Sequence, residues 1–214
     1  MPGTGGGGLF DVVICGIRVS KALHAKHPAF PKAIPDLAAL AEEAMSNDAG
    51  PFRIYFHPRN YKADAFIGEI ENYSKGSDKD GPFSGTAHIY YDRDQNVCWR
   101  RFVVAKEICH ILYAPDSIEH LTGTPEEVEQ LINKIMAGVE LVNADHATSC
   151  DSWTMLMALE ILLPHHERDA VDSELANGKS VRDMALKYRL PEHWVRFYLS
   201  PDYKKLMDAC YEAL

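Results

Sequence analysis

The chain has 214 residues, 46% of them hydrophobic and 25% charged, a globular composition that excludes a disordered or fibrous protein. Its 22 Lys and Arg stand against 31 Asp and Glu, and the net charge of −9 gives no general attraction to nucleic acid or anionic lipid. The five cysteines, Cys15, Cys98, Cys109, Cys150 and Cys210, are odd in number and scattered, with no C-x-x-C pair. They read as reduced thiols of a cytoplasmic protein, not as a disulfide framework or a zinc knuckle.

In chain order, residues 1–8 (MPGTGGGG) read as a flexible glycine-rich leader and 9–214 as a single domain. The apolar run Leu9–Val19 contains Asp11 and Arg18, is too short to span a bilayer, and follows no basic segment, so neither a membrane anchor nor a signal peptide is expected. A helix is expected around Val19–His27, then a stretch broken by Pro28, Pro31 and Pro35. Pro35 suits the first turn of a helix running to about Met45, with Leu37, Leu40 and Ala41 on one face.

Three segments, 52–58, 66–73 and 85–92, are rich in aromatic and β-branched residues and partly alternate. They predict one small, mostly antiparallel three-stranded sheet. No βαβ rhythm and no G-x-G-x-x-G support a dinucleotide-binding fold. From Asn96 the pattern turns helical, over about 98–113, 125–137, 149–163, 165–176, 181–188, 192–199 and 201–213. Thr124-Pro125-Glu126-Glu127, Ser180-x-x-Asp183 and Ser200-Pro201 are good helix starts. Helices and sheet over 9–95, followed by a helical part over 96–214, predict an α+β fold with the sheet packed on a helical bundle.

The 98–113 segment, CWRRFVVAKEICHILY, is apolar around most of its circumference and so should be buried. Lys106, Glu107 and His110 nevertheless fall at i, i+1 and i+4, on one side. Periodicity leaves two readings open, an internal ion pair and the solvent edge of a partly exposed helix.

RRFVVAKEICHIL after a strand resembles the R-F-x-x-A-H-E-x-x-H signature of the ImmA/IrrE family of zinc metallopeptidases. MALEILLP at 157–164 resembles that family's F-A-x-E-L-L-x-P segment, and SVRDMALKYRLPEHWVRFYL at 180–199 is similar to its C-terminal part. The resemblance covers roughly residues 85–200 and implies a zincin-like minimal metallopeptidase fold. It also implies roles: Glu107 as the general base, His110 as the second zinc-binding histidine and Asp151 as the third ligand. The first histidine is replaced by Lys106. An ammonium with a reference pKa of about 10.4 offers no lone pair at neutral pH and repels a metal cation. The motif is thus degenerate, and no cofactor is expected unless a rearranged set, His110, Asp151 and His146, still holds zinc.

Other candidates have plainer readings. Thr148-Ser149-Cys150-Asp151 is itself a capping box for the 149–163 helix. Cys109 points about 100° from His110 around the helix and reads as core; Cys150 and the pair His165-His166 are weak candidates for a metal. The 181–199 segment could pass for a DNA-binding helix-turn-helix, but its second helix carries Trp194, Val195, Phe197 and Tyr198, which are packing residues. The expected function is therefore a catalytically degenerate regulatory or binding module. A protein or an extended peptide would lie in the former groove, by addition to an edge strand such as 85–92.

Overall fold

A computed structural model of the chain describes residues 9–46, 51–61, 68–75, 85–113 and 146–214. The leader at 1–8, the 125–137 helix and its Thr124 cap lie outside these residues. The helix expected at Val19–His27 is longer and starts earlier, as α1 (Leu9–Lys26). Val13, Ile17, Ser20 and Leu23 are buried along it at helical spacing. Its apolar first half showed too little polar contrast for that period to stand out. Helix α2 (Ile34–Met45) has Pro35 in its first turn, as expected, and buries Leu37, Ala38 and Ala41.

Strands β1 (Phe52–Arg59), β2 (Gly68–Lys75) and β3 (Gly85–Asp92) follow. Their order in the sheet is β1-β3-β2, with β1 and β3 parallel and β2 antiparallel to β3. This corrects the mostly antiparallel sheet of an α+β, zincin-like fold. The described residues are mostly helical, with eight α-helices, and the two strands whose pairing is unbroken in register run parallel. The reason is topological. Strands adjacent in sequence were expected to pair as hairpins, but β1 skips β2 and pairs with β3. The half-buried alternation of β1 and β3 looks antiparallel because only one face of this parallel pair is covered. On that covered face lie Phe52, Ile54, Ala87 and Ile89.

Two consequences bear on binding. The 85–92 strand is the centre of the sheet, so it offers no edge for strand addition, contrary to expectation. The outer edge of β1 is closed by α2: Ile54 N donates to Glu42 Oε1 at 2.8 Å and Phe52 N to Ser46 Oγ at 3.0 Å. Pro58 has no N–H to offer.

The remaining helices are α3 (Val97–Tyr113), α4 (His146–Leu162), α5 (Arg168–Ala176), α6 (Val181–Tyr188), α7 (Glu192–Tyr198) and α8 (Pro201–Glu212), with a 3-10 turn His165–Glu167 before α5. Asn96 Oδ1 caps α3 by accepting from Trp99 N at 3.1 Å. Ser180 and Asp183 form the expected capping box, and Ser200 caps α8. Arg189 takes φ 51 to end α6 in the left-handed conformation. Trp194, Val195, Phe197 and Tyr198 are buried, as the packing reading of 181–199 requires. Arg168 closes the end of α7 by donating to Tyr198 O at 2.7 Å and Leu199 O at 3.0 Å.

Helix α1 packs on α4 through Gly16, where a Cβ would meet the Met157 backbone Cα at 3.2 Å. A larger residue there would push the two helices apart. Helix α4 in turn packs on α3, so both faces of the candidate site are set by this helix pair. Among the described residues no helix is long and apolar enough to cross a membrane.

Candidate functional site

Every residue of α3 from Phe102 to Ile111 is buried, including Lys106, Glu107 and His110. Of the two readings left open by periodicity, the solvent edge is therefore excluded. Lys106 Nζ lies 3.0 Å from Glu107 Oε1, with both side chains at 0% exposure. Adjacent helix positions point about 100° apart, so the long, flexible lysine stem is what allows the ammonium to reach the neighbouring carboxylate. A buried ion pair of this kind gains Coulomb energy but loses the hydration of both ions, and the two terms nearly cancel. What it secures is geometry, since breaking the pair would move two buried charges apart in a low-dielectric interior.

His110 is held from α4. Its Nε2 and Thr154 Oγ1 are hydrogen-bonded at 3.0 Å, both buried. If the hydroxyl donates, it uses the nitrogen's lone pair; if the ring donates, that nitrogen carries a proton. In either tautomer Nε2 cannot ligate a metal until the bond to Thr154 breaks. Thr154 was not picked out by sequence reasoning. A signal existed: Thr154 and Glu160 are the two polar side chains in the apolar run 154–163.

Asp151 and His146 lie on α4, but their side chains fall outside what is described, as does that of Cys150. One reading of Asp151 is corrected all the same. Helix α4 starts at His146, so Thr148 is already helical and the Thr148-x-x-Asp151 capping box does not open the helix. Cys109 is fully buried, and burial pushes its thiol well above the ordinary value, so it is an inert core residue. His165 is half-buried and bonds Asp208 Oδ1 through Nε2 at 2.8 Å.

Farther along α4, Glu160 is fully buried. Its carboxylate accepts from Tyr211 OH at 2.7 Å, His165 N at 3.0 Å and Tyr203 OH at 3.4 Å. Burial outweighs these donors and raises the carboxyl to about 8. This cluster joins the end of α4 to α8 and contains no cation within bonding distance among the described residues.

The described side chains do not fit the zinc that the resemblance implies: Lys106 presents an ammonium where the resemblance expects a first histidine, and His110 Nε2 is bonded to the Thr154 hydroxyl. Among the described residues no group of three or more His, Cys, Asp or Glu is placed to hold a metal. Comparison of the chain with protein-family models, curated proteins and solved structures gave no match.

Proposed function

We propose that the chain is a degenerate relative of the ImmA/IrrE-type metallopeptidases that acts as a regulatory or peptide-binding module instead of a hydrolase. The reading rests on the KEICH motif and on one observation, the fully buried Lys106–Glu107 pair at 3.0 Å. In a working site of that class, the glutamate activates a metal-bound water. Here the same carboxylate faces an internal cation, which supplies the positive charge without supplying a Lewis acid. An extended peptide is the partner best suited to the sheet. With β3 central and the β1 edge closed by Glu42 and Ser46, such a peptide would add to β2, which among the described residues pairs on one side only.

Equilibrium dialysis against buffered zinc tests the site. The unmodified protein should retain no tightly bound zinc, while Lys106→His, which restores imidazoles at i and i+4, should bind one ion. His110→Ala in that background should abolish the binding. A parent protein holding one zinc that His110→Ala removes would overturn the proposal. It would favour instead a working peptidase using His110, Asp151 and His146.

A further inference from the structure

The sheet face opposite α3 carries a second polar cluster, built independently of the helix-pair site. By strand alternation Tyr55 and His57 of β1 and His88 and Tyr90 of β3 share this face. His57 Nε2 and His88 Nδ1 are 2.8 Å apart, and the ring planes differ by 16°. Tyr55 lies against His88, with centroids 5.2 Å apart, and Tyr90 against His57 at 4.8 Å. The Arg59 guanidinium sits 3.4 Å over the Tyr90 ring and holds that end of the row. Both histidines are half-buried, so part of each reaches solvent.

We propose that His57 and His88 form a two-imidazole site for a tetragonal divalent ion, copper(II) above all. The 2.8 Å between the two nitrogens is a hydrogen bond that the ion replaces, and it brings the nitrogens close enough for one ion with bonds of about 2.0 Å to bridge them. The intrinsic affinity order of divalent ions, which puts copper(II) above nickel(II) and zinc, selects the ion.

In the ion-free pair one nitrogen donates its proton to the other. On binding, each ring turns to aim its lone pair at the ion, and the donor ring shifts its proton to its other nitrogen. Both rings then ligate as neutral imidazoles with no net proton released. Water completes the coordination from the solvent side.

Copper(II) dialysis combined with electron paramagnetic resonance tests this on the full chain. One tetragonal copper(II) per chain with two coupled nitrogens is expected. His57→Ala and His88→Ala should each weaken binding about a hundredfold, at least as much as loss of an outer-shell partner costs. His110→Ala should leave copper binding unchanged, which separates this site from the helix-pair site. In the unmodified protein, substoichiometric copper(II) should broaden the Tyr55 and Tyr90 ring proton signals before others, a readout that survives if either variant fails to fold. Copper binding that persists in both histidine variants, or broadening centred away from these two rings, would overturn the proposal.

Discussion

Glu107 on α3 and Glu160 on α4 are both fully buried, yet their surroundings differ in kind. Beside Glu107 stands an ammonium, 3.0 Å away and equally buried. Around Glu160 stand two phenols and a backbone N–H, all neutral. A neutral donor can hold one lone pair, but it does not cancel the cost of moving a charge out of water. The Glu160 carboxyl is accordingly raised to about 8. The two carboxylates thus show two solutions to one desolvation problem: import a counter-charge, or hold a proton. At Glu107 the counter-charge is Lys106, the neighbouring residue on the same helix.

The comparison breaks most sharply at Lys106. Lys106→Met removes the ammonium and leaves a buried carboxylate without it, and urea unfolding should show a loss of about 3–5 kcal/mol. Lys106→Met combined with Glu107→Leu removes both charges and should recover most of that loss, because a well-packed apolar pair is often as stable as a buried ion pair. A single variant that loses less than about 1 kcal/mol would mean that the lysine is not what compensates Glu107.

Glu160 should give a smaller effect with a distinctive pH dependence. Its folded value of about 8 lies above the ordinary 4.5, so between these the folded chain keeps a proton that the unfolded chain releases. Its contribution to stability is therefore full below pH 4.5 and is lost as pH rises toward 8. The unfolding free energy of the parent, minus that of Glu160→Gln, should fall across this window by a few kcal/mol. A flat difference would show that the three donors keep the carboxylate ionised throughout.

How far these features could be read from sequence differs by region. The buried helix with Lys106, Glu107 and His110 was legible because ten consecutive buried positions leave an apolar surround that marks its three polar members. The capping box at Ser180 and the proline-backed cap at Ser200 were legible because capping is local chemistry. The strand order was not, since nothing in 52–59 or 85–92 says that these two segments pair with each other rather than with the strand between them. Parallel pairing is a long-range choice, made by the shape of the helical layer beneath. The start of α1 was hidden by its uniform apolar run. Thr154 was passed over because a threonine inside a helix most often bonds its own backbone, and its partner lies 44 residues away.

That hydroxyl supports the finest test of how the helix-pair site differs from a metal centre. Thr154→Val keeps the shape but deletes the bond to His110 Nε2. In the unmodified protein it should cost about 1 kcal/mol of stability in urea unfolding, the net worth of one buried hydrogen bond. In the Lys106→His background the same change should have the opposite sign in a second assay. It frees the nitrogen that zinc needs, so dialysis should show zinc held about tenfold more tightly, equivalent to about 1.4 kcal/mol. Loss of stability together with gain of metal affinity identifies Thr154 as the residue that keeps the histidine bonded in place of a metal. Equal zinc affinity with and without the hydroxyl would instead place the ion on the ring's other nitrogen, and the bond to α4 would then be packing alone.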